Sequence, residues 1–216
     1  MTEPVVAVRG ESISEVDPEI ATFTVTVSAR DRNRQETLRR LAARVEAVRA
    51  VLDGYAEAIE KQETAGMSVY PETKRSGERV SAYRGTVSTT VTVTDFTVLG
   101  ELLLRLADQD QTGVSGPWWA LRPGSPAHRE ARRAAIADAI VRGREYAEAL
   151  GARVTGLVEV TDPGVSAVGA PRAVPLAARG SVESGLPAMD LDPWRQTVTA
   201  TVVARFRISE PTVLAG

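Results

Sequence analysis

The chain of 216 residues has no cysteine, one histidine and few aromatic residues (5%). Without cysteine it can form no disulfide bond, no thiolate nucleophile and no zinc or iron–sulfur site built on cysteine. The histidine, His128, lies beside Arg129 in a helix-like segment, and no serine stands in a GxSxG elbow to pair with it. We expect His128 to face solvent.

Long apolar runs and an excess of one charge are also missing. No stretch approaches the ~18 uninterrupted apolar residues of a membrane-spanning helix. The opening segment, MTEPVVAVRGESISEV, has no basic region followed by an apolar run, so we expect a cytoplasmic location for the chain as written. Lys and Arg total 26 against 28 Asp and Glu, a net charge of -2, which disfavours nucleic acid as a partner.

Motifs for metals and phosphates are absent. The sequence contains neither HExxH nor a DxDxDG loop, and its glycine pairs at Gly113/Gly116 and Gly164/Gly169 precede no helix N-terminus. Acidic residues near position 190 fall in a polar stretch where nothing would desolvate them. We therefore predict no metal, no cofactor and no catalytic residues.

Alternation of apolar and polar residues predicts the strands. Residues 21–30 alternate apolar side chains with Thr, Ser and Arg, and residues 196–208 repeat the pattern as a long closing strand. Met67–Thr73 and Val80–Thr94 predict a hairpin around Ser76-Gly77, with Pro71 favouring an edge position for the first arm.

Three helices separate these strands. Asn33 is a candidate N-cap, with Glu36 completing a capping box, and the first helix carries one apolar stripe: Leu38, Leu41, Val45, Val48, Leu52, Tyr55 and Ile59. The stripe fits either a coiled-coil seam or a helix lying on its own sheet, and the flanking strands favour the second. A second helix spans about 96–108.

The third helix has the clearest boundaries. Ser125 is a natural N-cap, Pro126 suits the first helical position and Gly151 suits a left-handed C-terminal cap. Its predicted apolar stripe is Ile136, Ile140, Gly143, Ala147 and Leu150. The small residues predict a close approach by another backbone.

These elements predict one α+β domain over residues 1–216. The expected architecture is a mixed, largely antiparallel sheet with three helices, in the order β-β-α-β-β-α-β-α-β-(long loop)-β, and the final strand returns to the same sheet. A Pro/Gly/Ala-rich loop at 162–195 precedes that strand.

Aromatic side chains are the candidate contact residues for an interface or ligand, namely Tyr83, Trp118, Trp119 and Trp194. Trp118 and Trp119 are adjacent in a strand. They should therefore point to opposite faces, with one in the core and the other more exposed.

Four segments, in order along nearly the whole chain, resemble the SIMPL-domain family: VVAVRGESISEVDPEIATFTVTVSARDRNRQETL, YRGTVSTTVTVTDFTVLGELLLRLAD, EARRAAIADAIVRGREYAEALGARVTGLVEV and QTVTATVVARFRI. The resemblance implies an α+β domain of largely uncharacterised biochemical function, with no catalytic motif to carry over. The SIMPL-domain family includes bacterial periplasmic or envelope proteins. Some of these are immunogenic, some are linked to oxidative-stress tolerance and some assemble into ring- or channel-like oligomers. We expect this chain to depart from the family in having no export signal of the usual kind.

Two functions are compatible with this sequence. The first is a non-enzymatic, self-associating interaction or scaffold protein, with a stress-related role, that forms homo-oligomers through sheet edges or the 162–195 loop. The alternative is a small-molecule-binding or carboxylate-based enzymatic domain with its site near Trp118, Trp119 and that loop.

Overall fold

A computed structural model describes residues 3–73, 80–163 and 189–213, together with the backbone of residues 165–168. Its elements are β1 (Val5–Val16), β2 (Ile20–Asp31), α1 (Arg34–Asp53), β3 (Ile59–Thr73), β4 (Val80–Val93), α2 (Leu99–Ala107), β5 (Thr112–Ala120), α3 (Pro126–Ala149), β6 (Val154–Thr161), β7 (Val165–Val168) and β8 (Gln196–Ile208). The α+β class, the three helices and the predicted order are confirmed, with β7 as an addition.

The strands divide between two antiparallel sheets, where the sequence analysis expected one. The first sheet has the order β1-β8-β6, with β7 also pairing with β8, and the second has the order β3-β4-β2-β5. The described residues form two compact units: 3–18, 121–163, 165–168 and 194–213 in the first, and 19–73, 80–120 and 189–193 in the second. The single domain over 1–216 stays a prediction.

The long strand β8 organises the first sheet. It pairs with β1 from Val5↔Arg207 to Val16↔Gln196, and its other side pairs with β6 and then with β7. Since β6 and β7 pair with successive parts of β8, they form one line with an interruption that contains Pro163, which has no N–H to donate. Residues 165–168 were expected in the loop, and 169–188 lie outside the described residues.

The face that α3 presents to this sheet differs from the predicted stripe. Buried on it are Ala131, Ala135, Ala139, Gly143 and Ala147. The predicted stripe was wrong in Ile136, which is 41% exposed, whereas Gly143 and Ala147 are confirmed. Ile140 is partly buried against the same core, while the fully buried positions are all alanine or glycine.

A close approach explains this choice of small residues. A Cβ added to Gly10 of β1 would overlap the carbonyl oxygen of Ala135 and lie 2.7 Å from the Cβ of Ala139. One added to Gly143 would lie 2.7 Å from Cδ2 of Phe206 in β8. At these two positions helix and sheet are so close that no added side chain fits between them.

Both ends of α3 follow the sequence prediction. The Ser125 hydroxyl accepts a hydrogen bond from the N–H of Ala127 at 3.2 Å, and Pro126 opens the helix. Gly151 has φ +65°, and the next N–H, of Ala152, donates to the carbonyl of Ala147 at 2.8 Å. Both cap predictions are confirmed.

In the second unit, α1 packs on β2 and β4. This confirms that the helix covers its own sheet, in preference to the coiled-coil seam. Leu41, Val48 and Leu52 are buried, but the predicted stripe was wrong at Leu38, which is 37% exposed, and beyond Asp53, where the helix ends. The chain turns and begins β3 at Ile59, eight residues before the predicted start at Met67.

The predictions for the hairpin and the first cap were partly correct. Strand β3 is a sheet edge, as Pro71 indicated, whereas the tip around Ser76-Gly77 lies outside the described residues. Asn33 caps α1 through the N–H groups of Gln35 and Glu36, at 2.8 and 3.3 Å. The reciprocal half of the capping box was wrong, because the N–H of Asn33 donates to Asp31 and Glu36 binds two arginines.

The contact between α3 and β1 predicts a large effect of a single methyl group. Gly10→Ala should lower the free energy of unfolding by about 2–4 kcal/mol, because the added Cβ meets helix backbone that cannot move independently. Urea unfolding followed by circular dichroism measures this. Gly156→Ala in β6 is the matched control, since its Cβ would meet nothing within 4 Å. Equal stability of the two variants would contradict the close approach.

Candidate functional site

The tryptophan pair of β5 lies on opposite faces of the second sheet, as predicted. Trp119 stands opposite Ala21, is 7% exposed and meets the ring of Phe96 edge-on with centroids 4.8 Å apart. Trp118 stands opposite Thr22 and is 45% exposed. Trp119 is therefore a core residue, and Trp118 is available for contact.

The other two aromatic candidates do not join Trp118. Tyr83 stands opposite Asp31, nine residues along β2 from Thr22, which is about 30 Å at the usual rise per strand residue. It also points to the sheet face opposite to that of Trp118. Trp194, half-buried, belongs to the first unit. The four candidates thus form no single cluster within either unit.

Trp118 shares its sheet face with an array of hydroxyl groups, which we call the hydroxyl face. Its members come from the three strands β2, β3 and β4 and lie opposite one another in register: Thr22, Thr24, Thr26, Ser28, Ser68, Thr86, Ser88, Thr90 and Thr92. Hydrogen bonds link Thr26 to Ser88 at 3.0 Å and Ser68 to Thr86 at 2.7 Å. The array offers donors and acceptors to a polar partner.

An ion cluster closes the far end of the hydroxyl face. Arg30 and Arg84 both donate to the carboxylate of Glu72, at 2.7 and 2.8 Å. These hydrogen bonds lower the pKa of the Glu72 carboxyl. Two cations on one carboxylate leave a local excess of positive charge at this end.

The remaining resolved pKa shifts also arise from ion pairs, hydrogen bonds and burial. Arg39 and Arg40 donate to Glu36 and lower its pKa to about 2. Hydrogen bonds from Thr97 lower the pKa of Asp95, while burial, and then a hydrogen bond with Glu101, raises that of Tyr55. Each shift moves the group further from neutral pH, in the opposite direction to that which general acid–base catalysis requires.

The environment of His128 differs from the expected solvent-facing position. The residue is partly buried, and its Nδ1 atom is shielded from solvent without a hydrogen-bond partner among the described residues. The prediction of a solvent-facing histidine was therefore wrong for this atom. The side chain lies by an open cavity at the start of α3, together with Arg129 and Arg132.

Neither a metal-binding cluster nor a membrane-spanning helix occurs in the part of the chain that the structure describes. There, no group of three or more His, Asp or Glu side chains is arranged to hold a metal ion. None of the helices described is both long and apolar enough to cross a membrane.

Three cavities of the described part lie away from the tryptophan pair. One lies between α1 and β3, is partly open to solvent and has a volume of about 110 Å³, a second lies beside Tyr55 and Arg105, and the third is the one at His128. Sequence reasoning missed the first, because no motif marks it. The feature that indicates this cavity is the exposed edge strand β3, and its edge position is known only from the strand order of the sheet.

The antiparallel α+β fold accords with a family comparison. A family model, SIMPL, described as a protein of unknown function (DUF541), matches residues 6–206. The chain therefore belongs to the SIMPL family, as its sequence segments indicated. No curated protein matches it.

The tryptophan pair yields a prediction about stability. Trp119→Ala should lower the free energy of unfolding by about 3–5 kcal/mol, since it removes a buried ring and its contact with Phe96. Trp118→Ala, the neighbouring control, should cost about 1 kcal/mol or less because its ring is nearly half exposed. Chemical unfolding followed by circular dichroism measures both. A larger loss at Trp118 would contradict the assignment.

Proposed function

We propose that this protein is a non-enzymatic interaction protein that associates with itself through the outer edge of β6. The observation that carries the proposal is the apolar character of this edge. Leu157, Val158 and Val160 are 60%, 45% and 44% exposed, and β6 has no neighbour on its outer side among the described residues. Apolar residues on an open strand edge favour pairing with another strand.

A second copy of the chain is the simplest partner for this edge. Two β6 strands can pair about a two-fold axis, so that the same surface on each copy satisfies the open N–H and C=O groups of the other. Glu159 does not oppose this pairing, because its carboxylate lies 3.5 Å from Arg205 of the adjacent strand β8. The positive charge of Arg205 thus compensates the negative charge of Glu159.

The non-enzymatic part of the proposal rests on electrostatics. Arginines hold Glu36 and Glu72 in the charged form, and burial holds Tyr55 in the neutral form. Groups that keep one protonation state around neutral pH can stabilise the fold or contact a partner, but they are poor proton donors and acceptors in catalysis.

The alternative, a small-molecule or carboxylate-based enzymatic site near Trp118, Trp119 and the 162–195 loop, has less support. Trp119 is core, Trp118 stands on a sheet face, and most of the loop lies outside the described residues. A cytoplasmic location and a link to stress stay predictions. Cell fractionation and growth of a deletion strain under oxidant would test them.

If the protein associates with itself, its average molar mass in solution should rise with concentration. One substitution at the β6 edge should lower that mass. Val158→Lys should shift the protein towards monomer, because the new charge would have to be buried against the second strand. Light scattering coupled to size exclusion, run over a range of concentrations, measures the mass. Val141→Lys is the matched control, a valine that is 50% exposed on α3 and away from the edge.

Two results would contradict the proposal. A strict monomer at every concentration would exclude self-association altogether. An oligomer whose mass is unchanged by Val158→Lys, in a variant that keeps the unfolding midpoint of the parent, would exclude the β6 edge as its contact.

A further inference from the structure

The helix α1 covers only part of the second sheet. It packs on β2 and β4, whereas β3 at the sheet edge extends past it. Gln62, Thr64 and Met67 stand opposite Val91, Thr89 and Val87 of β4, and so point to the same side of the sheet as the helix. All three are exposed, and Met67 is 61% exposed. A hollow remains between the helix and the edge strand.

This hollow, which we call the α1–β3 cavity, has an apolar interior. Its volume is about 110 Å³. Strands β2 and β4 contribute the floor and α1 one wall, through apolar side chains: Val25, Val27, Val45, Val48, Leu52 and Val87. The floor residues Val25 and Val27 are buried, and Thr89 of β4 adds a hydroxyl group to the lining.

The mouth of the cavity is polar and carries a cation. It is lined by Arg49 of α1 and by Gln62, Glu63 and Thr64 of β3. The guanidinium of Arg49 makes one long bond, 3.4 Å, to Glu46 on its own helix, and its side chain is 63% exposed. A guanidinium has five donors in a planar fork, so it can also hold a carboxylate.

The nearby acidic group on β3 does not cancel this charge. Glu63 is paired with Lys61 at 2.8 Å. Both residues stand opposite threonines of the hydroxyl face, Thr90 and Thr92, so their side chains lie on the other side of the sheet. An apolar interior beneath an arginine is complementary to a molecule with an apolar tail and an anionic head.

We propose that the α1–β3 cavity binds a short straight-chain aliphatic carboxylate. The tail lies among the valines and Leu52, and the carboxylate accepts hydrogen bonds from Arg49 at the mouth. The volume sets the length of the tail. A cavity of ~150 Å³ lined by apolar side chains accommodates a benzene-sized group, so one of about 110 Å³ accommodates a short alkyl chain and leaves longer chains protruding into water.

A chain-length series tests the site. Sodium acetate, butyrate, hexanoate and octanoate are titrated into the full chain labelled at valine and leucine methyl groups, and the methyl resonances of Val48, Leu52 and Val87 are followed by NMR. Affinity should rise by about four-fold for each CH₂ that enters the cavity. It should level off when the cavity is full, and the plateau then measures the depth of the site.

Matched variants locate the ligand and identify its head group. Val45→Phe fills the cavity and should abolish binding, while Val51→Phe on another face of α1, beside the Tyr55 cavity, should leave it unchanged. Arg49→Gln should weaken hexanoate by about tenfold, the loss expected for a charge-assisted hydrogen bond. Hexylammonium, of the same length but opposite charge, should bind more weakly than hexanoate. Melting curves confirm that each variant is folded.

Each measurement has an outcome that overturns the proposal. Absence of methyl shifts with every carboxylate would exclude the site, as would binding that survives in folded Val45→Phe. Equal affinity for hexanoate and hexylammonium, or no effect of Arg49→Gln, would exclude the carboxylate. None of these results depends on whether the protein associates with itself.

Discussion

The first unit depends on the close contact between α3 and the strands β1 and β8. Gly10 and Gly143 lie where any side chain would collide, with helix backbone in one case and with the Phe206 ring in the other. The buried helix positions are therefore alanine and glycine. The alanines bury little apolar area themselves, and the larger side chains of this interface come from the sheet, among them Val8, Val198, Val202 and Phe206.

The second unit uses the same arrangement, helices on one face of an antiparallel sheet, with the opposite kind of packing. Its fully buried side chains are large, among them Phe23, Leu41, Leu52, Leu99 and Leu102. One helix of 20 residues does not cover a four-stranded sheet to its edge. The uncovered inner side of β3 and the α1–β3 cavity follow from this incomplete cover.

Features that depend on residues close together in the chain could be predicted from the sequence. The alternation in β2 and β8 identified their buried faces, and Asn33, Ser125 and Gly151 marked helix ends, because a cap depends on residues within one turn. The division into two sheets could not be predicted in the same way. A period of two says which face of a strand is buried, but not which strand lies beside it.

Tertiary contacts also overrode local patterns at particular residues. Ile59 continued the stripe of α1 at helical spacing, yet it begins β3, since the chain turns after Asp53. Ile136 fitted a helical stripe by hydrophobicity but is displaced from the interface by the approach of Gly10 to Ala135. Four residues in a Pro/Gly/Ala-rich segment form β7 only because β8 presents a free edge beside them.

The candidate site shows why aromatic residues were incomplete markers. The sequence correctly placed Trp118 and Trp119 on opposite faces, but only the register, which sets Trp119 opposite Ala21, decides which ring is buried. The α1–β3 cavity carries no aromatic residue or motif in its lining. It arises because helix and edge strand do not match in extent, and valines at such a mismatch have the same sequence pattern as valines in a filled core. A binding cavity that arises from incomplete packing can therefore be recognised only from the three-dimensional structure.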